Sequence, residues 1–161
     1  MKLTLYKLVN DFYLKLRDSA RDPFKSLMFI SEDFPVMDCY NSCYLMALHI
    51  FKNTKYTSIE LVVGYISGRD ENEMIGHCWL EVDGTLIDLT SEQYNTLCEE
   101  ELSSDIVDRR PFLQTYCIDI NLAPHYDLFS DLKRQFIDPN FSQLSRSGFE
   151  EWKEEYFKIM G

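Results

Sequence analysis

Between Leu3 and Arg17 the apolar residues Leu5, Leu8, Val9, Phe12 and Leu16 fall at helical spacing. This predicts an amphipathic helix laid as a lid on the core and ending before Pro23. Residues 24–37 carry no regular period, and Pro35 disfavours helix at Phe34. Helical spacing returns with Tyr44, Leu45, Leu48 and Phe51, so a second helix over 40–51 begins beside Cys39, and Asp38 stands where a capping carboxylate would. From Ser58 to Ile66 β-branched residues dominate, and Ser67-Gly68 followed by the polar run Arg69 to Glu73 closes a predicted strand with a loop. Asp83-Gly84, set between apolar runs, predicts a two-residue hairpin turn. Ser91 to Asp108 reads as a polar loop with a short helix and Phe112 to Ile120 as another strand. Tyr126 to Phe136 and Gly148 to Ile159 read as two C-terminal helices. The last carries Phe149, Trp152, Tyr156 and Ile159 on one stripe, a core face or else a partner-facing patch. Helices and strands are segregated along the chain, which predicts an α+β fold with an antiparallel sheet.

The 161 residues suit one domain spanning 1–161, and the 45% hydrophobic content is enough for a core of its own. A net charge of -11 and a pI near 4.6 argue against nucleic acid and against an anionic membrane as partners, because no basic patch offsets the repulsion. The acidic runs at Glu99-Glu100-Glu101 and Glu150 to Glu155 read as solvated helix faces. Lys2 and Lys7 precede no apolar run of signal-peptide length. The five cysteines, Cys39, Cys43, Cys78, Cys98 and Cys117, are an odd set without paired spacing, which points to a reducing, cytoplasmic setting, with signal-independent export equally compatible.

The hairpin register brings chemistry into view. If Val82 pairs with Thr85, then Leu80 pairs with Ile87 and Cys78 with Leu89 on one face; Trp79 pairs with Asp88 and His77 with Thr90 on the other. His77 and Asp88 then become same-face diagonal neighbours, roughly 7–8 Å apart at Cα, within side-chain hydrogen-bond reach. Cys39, at a helix start, gains thiolate stabilisation from free backbone amides and partial positive charge. An imidazole nearby serves as ion-pair partner or base, and a carboxylate on its far nitrogen fixes the tautomer. The Cys39 amide would face a developing oxyanion. Taken singly, Cys39 reads as a small buried hydrophobe, His77 as a satisfied strand histidine and Asp88 as a hairpin carboxylate. The ordered combination favours catalysis.

The blocks Phe34-Pro35-Val-Met-Asp-Cys39-Tyr-Asn-Ser42-Cys-Tyr-Leu45 and Gly76-His77-Cys-Trp79-Leu80-Glu81-Val82-Asp83-Gly84-Thr-Leu-Ile87-Asp88-Leu-Thr90-Ser-Glu-Gln93 resemble bacterial transglutaminase-like, papain-fold thiol proteins. The resemblance covers about Phe34 to Gln93. It implies a Cys39, His77, Asp88 triad on a helix packed against an antiparallel sheet, a papain-like core, and chemistry at amides: peptidase, protein glutamine deamidase or transglutaminase. Two features depart from the pattern. No Gln upstream of Cys39 supplies a side-chain oxyanion donor, which leaves Asn41, Trp79 and Gln93 as candidates for that or a supporting role. Cys43 also stands one helical turn after Cys39.

The expectation is therefore a thiol-dependent amide-bond enzyme without cofactor or metal, acting through a thioester on a protein or peptide substrate. Glutamine deamidation comes first and peptidase action second. From another class stands a non-catalytic peptide-binding module on the same fold. A zinc site of Cys39, Cys43, His77 and Cys78 is disfavoured because neighbouring strand residues point to opposite faces.

Overall fold

The N-terminal stripe forms helix α1 (Lys2–Ala20), which buries Leu5, Val9, Phe12, Tyr13 and Leu16. Helix α2 (Cys39–Asn53) is buried continuously from Ser42 to Ile50, as befits a helix enclosed by other elements. Helix α6 (Arg146–Met160) begins two residues ahead of the expected Gly148 because Ser145 caps it, its hydroxyl accepting from Gly148 N at 3.0 Å. The computed structural model describes residues 2–68, 70 and 72–161. Of the loop expected over 69–73, Arg69 and Glu71 lie outside the described residues.

Five strands, β1 (Ile59–Ser67), β2 (Met74–Val82), β3 (Thr85–Asp88), β4 (Tyr116–Asp119) and β5 (Ser130–Ile137), form one sheet in the order β4-β3-β2-β1-β5. Every neighbouring pair is antiparallel, giving the α+β class expected. The β2–β3 turn is at Asp83-Gly84, both in the left-handed region at φ 49° and 73°, the geometry that favours such dipeptides in tight hairpins. The Val82–Thr85 and Leu80–Ile87 pairs form as expected. The expected pairs beyond them, Cys78 with Leu89, Trp79 with Asp88 and His77 with Thr90, are not part of the ladder. Asp88 pairs instead with Tyr116 of β4, and Thr90 N turns back to donate to Asp88 Oδ1 at 2.8 Å.

The sheet separates two apolar sets. On one face Ile59, Leu61, Cys78, Leu80, Val82, Ile87 and Cys117 pack on α2, which α1 and α6 enclose. The α6 stripe of Trp152, Tyr156 and Ile159 joins this core, with Phe149 partly buried against it. On the other face Val62, Trp79 and Leu86 are covered by Tyr94, Leu102, Ile106, Phe112 and Phe129. These come from the segment bearing short helices α3 (Gln93–Thr96), α4 (Ser104–Asp108) and α5 (His125–Leu128).

Two expectations need correction. Tyr126 to Phe136 is not a helix: α5 stops at Leu128, and β5 pairs with β1 from Ile137–Ile59 to Ser130–Tyr65. Leu128, Leu132 and Phe136 mimic helical spacing, while β5 at the sheet edge buries only Ile137 and so lacks the alternation that identifies a half-buried strand. Strand β4 is also shorter than 112–120. Its first expected residues are held by the Asn95 side chain, which accepts from Phe112 N and donates to Phe112 O at 2.7 and 2.9 Å, so those backbone groups do not enter the ladder.

Gly64 of β1 stands opposite His77, and a Cβ there would lie 2.6 Å from Phe129 Cβ and 2.9 Å from Leu132 Cδ2. The missing side chain is what lets the α5–β5 corner descend onto the sheet. We expect Gly64→Ala to destabilise the protein by about 1–3 kcal/mol through this overpacking, measured as a fall in the urea midpoint at unchanged m-value.

Candidate active site

Cys39 is the first residue of α2. Ser42 N closes the first turn on the Asp38 carbonyl at 2.9 Å, so the preceding amides carry the unpaired character of a helix N-terminus. Asp38 does not cap them. Its buried carboxylate turns to Ser31, accepting from the backbone N at 3.4 Å and from Oγ at 3.2 Å. The helix amides next to the thiol are thereby left without a side-chain cap.

His77 of β2 and Asp88 at the end of β3 lie on the sheet face opposite α2, and His77 Nε2 is 2.6 Å from Asp88 Oδ2. His77 and Asp88 are 1% and 2% exposed. The Cys39 thiol lies beside both Cys78 and the His77 ring. It can touch residues of both faces because β3 leaves the β2 ladder after the Leu80–Ile87 pair, opening the sheet at the level of Cys78 and His77. With Nε2–H given to Asp88, His77 keeps Nδ1, which is buried and makes no hydrogen bond, for the thiol.

Two further groups share the carboxylate. His125 Nε2 of α5 is 2.7 Å from Asp88 Oδ2, and Ser91 Oγ donates to the same oxygen at 2.5 Å. Thr90 supplies its amide to Oδ1 at 2.8 Å and its hydroxyl at 3.2 Å. Sequence reasoning missed His125, which no local pattern ties to Asp88 across 37 positions. Thr90 and Ser91 did carry a signal, since Asp followed by hydroxyl residues often folds its side chain onto the backbone two residues on. The third histidine, His49, is a core residue on the α2 side, bonded to Tyr156 Oη at 2.7 Å and pushed down to about 4 by burial.

The three supporting candidates have other partners. Asn41 donates its amide to Phe29 O at 2.7 Å, holding the loop before α2. Trp79 donates to Glu81 Oε1 at 3.0 Å while its ring packs near His77 and His125. Gln93 is buried and its Oε1 accepts from Met37 N at 3.3 Å, pinning the segment two residues ahead of Cys39. Met37 itself is held in the left-handed region at φ 64° with its side chain 86% exposed.

The charges pull in opposing directions. Burial would push His77 down, but the Asp88 charge and hydrogen bond overcome it and raise the imidazole to about 10. Burial likewise opposes ionisation of Asp88, yet the His77 charge and the hydrogen bonds from His125 and His77 hold it well below the usual carboxylate range. The Cys39 thiol is pushed up, first by its hydrogen bond with Cys78 and then by burial, with His77 pulling it down. Asp88 thus favours the shared proton on the imidazole, while Cys78 and burial favour it on sulfur.

One ligand atom each from His77, Asp88 and His125 lie within 4.8 Å of one another, a donor set a transition metal accepts. Metal-bound imidazoles, however, give the other ring proton to an outer acceptor. Here both Nδ1 atoms are buried without one, which suits rings that donate through Nε2 to the carboxylate instead.

No protein-family model, curated protein or solved structure matches this chain.

Two measurements follow from these charges. Cys78→Ala should move the pH profile of iodoacetamide labelling at Cys39 to lower pH and His77→Ala should move it higher, read site by site by mass spectrometry. His77, raised from 6.5 to about 10, stabilises the fold fully below pH 6.5 and loses that contribution as the pH rises towards 10. Chemical denaturation across this window should show the slope, and Asp88→Asn should flatten it.

Proposed function

We propose that the protein is a thiol-dependent amide-bond enzyme on a papain-like, transglutaminase-like core, with Cys39 as nucleophile, His77 as proton carrier and Asp88 as its orienting carboxylate. The observation that carries this reading is the order of contacts: a thiol at a helix start, beside an imidazole whose far nitrogen lies 2.6 Å from a buried carboxylate. Thiol, imidazole and carboxylate in that sequence are what covalent acyl transfer requires.

In this mechanism the Cys39 proton passes to His77 Nδ1 and sulfur bonds to the amide carbonyl carbon. The oxyanion forms within reach of the first amides of α2. Collapse breaks the C–N bond, and the nitrogen leaves with the proton held on His77. Water, deprotonated by the now neutral His77, then attacks the thioester carbon and releases the acid and free Cys39.

Substrate class follows from access. His77, Asp88, Ser91 and His125 are each at most 2% exposed, whereas Cys39 is partly exposed and is flanked by exposed Met37 and Tyr40. A thiol presented alone at the surface is reached more easily by the long, flexible carboxamide of a glutamine side chain than by a backbone peptide bond. Protein glutamine deamidation is accordingly the reaction we propose, with water as the acceptor.

Incubation of glutamine-bearing proteins with wild type and variants tests this. Ammonia release with the mass gain of amide-to-acid exchange is the expected result. A backbone cut would make the protein a peptidase, and reaction with glutamine-free substrates would overturn the deamidase reading. Cys39→Ala should abolish turnover, and Asp88→Asn should lower kcat by roughly 10²–10⁴ while leaving KM little changed.

A further inference from the structure

A carboxylate that orients one imidazole needs one donor on that side; Asp88 Oδ2 has three. His77 Nε2 lies at 2.6 Å, His125 Nε2 at 2.7 Å and Ser91 Oγ at 2.5 Å. The two rings stand 6.0 Å apart at their centroids with an interplanar angle of 30°, and each residue is 1% exposed. His125 is braced to stay there. Trp79 and Tyr116 meet its ring edge to face, both at 5.0 Å. The next residue, Tyr126, bonds through its hydroxyl to the buried Glu81, which also takes Arg134 Nη1 at 2.6 Å and Trp79 Nε1 at 3.0 Å.

Two cationic rings on one buried carboxylate would repel, and only His77 has a thiol to exchange a proton with. Burial depresses His125 despite its bond to Asp88, so His125 is the neutral partner, a fixed N–H donor. A fixed donor withdraws negative charge from the oxygen that it shares. From this geometry we infer that His125 is a positioning residue of the thiol site, competing with His77 for Asp88 Oδ2 and thereby setting how firmly Asp88 keeps the proton on His77. The inference rests on the triad reading for its functional meaning, though the His125–Asp88–His77 coupling can be measured without it.

Groups from several elements face the pair. Cys39 and Cys43 of α2 and Cys78 of β2 lie on the thiol side, Tyr94 of α3 meets the His77 ring at 5.2 Å, and Tyr116 of β4 and Glu81 of β2 act on Asp88 and His125. Beside His77, Oδ2 accepts side-chain hydrogen bonds from His125 and Ser91, and none of these six groups adds another. Removing His125 leaves Oδ2 with more charge for His77, so the proton is held more tightly and given up to the leaving nitrogen less readily.

The experiment compares the His77 imidazole titration by NMR in wild type, His125→Gln and His125→Asn. Gln retains a neutral N–H donor at the reach of Nε2; Asn keeps polarity but falls short of Oδ2. In His125→Asn the His77 midpoint should rise by about one pH unit, in keeping with the loss of part of a hydrogen bond to a charged group. In His125→Gln it should stay near wild type. Ser91→Ala, a smaller change at the same oxygen, should shift His77 in the same direction. An unmoved His77 in both His125→Asn and Ser91→Ala overturns the inference. A shift in His77 with no effect of His77→Ala on Cys39 labelling would sink the triad reading while leaving the coupling intact.

Discussion

The rest of the site depends on keeping the Asp88 carboxylate ionised without water. Burying an isolated carboxylate costs several kcal/mol even after relaxation, and at 2% exposure Asp88 has no solvent to offset that. Protein donors from three directions do so instead: Thr90 and Ser91 from the turn just after β3, His77 from β2 and His125 from α5. Each donor imposes its own structural demand. The turn has to break the β3 ladder so that Thr90 N can face back. The α5 corner has to sit close on the sheet, which Gly64 permits and the Glu81–Tyr126–Arg134 contacts hold.

The thiol has a different balance. The helix start favours its ionised form, and the turning of Asp38 towards Ser31 removes a carboxylate that would have taken up the same amides and repelled a thiolate. Cys78 and burial work the other way. The resting site therefore divides one proton between a partly exposed sulfur and the imidazole, with Cys78 and burial favouring the sulfur and Asp88 the ring.

Much of this was legible in the sequence where local rules decide the outcome. The α1, α2 and α6 stripes, the Asp83-Gly84 turn and the Leu80–Ile87 register all follow from periodicity and turn chemistry. The His77–Asp88 bond followed from the same register, although the strand pairs expected to carry it do not form. What stayed hidden is what tertiary context decides. β5 borrows its stability from β1 and exposes most of its side chains, so no burial pattern marked it. His125 reaches Asp88 only because the chain returns over the sheet after β4. Asp38 had the residue type and position of a cap, and the loop at Ser31 captured it instead.

The short β3 strand connects these points. Cys39 arrives on the α2 face of the sheet, and His77 and Asp88 project from the other. In a sheet with a continuous β2–β3 ladder the backbone of β3 would stand between them, and the thiol would meet Cys78 alone. Because the ladder stops at Leu80–Ile87, the side of β2 at Cys78 and His77 is left open to the start of α2. The chain that would have filled the gap, residues 88–91, is used to furnish the carboxylate and three of its donors. The same early termination thus supplies both the opening through which sulfur meets imidazole and the turn that keeps the carboxylate charged. A longer, better paired hairpin would be the more regular sheet, but it would separate the thiol from the imidazole.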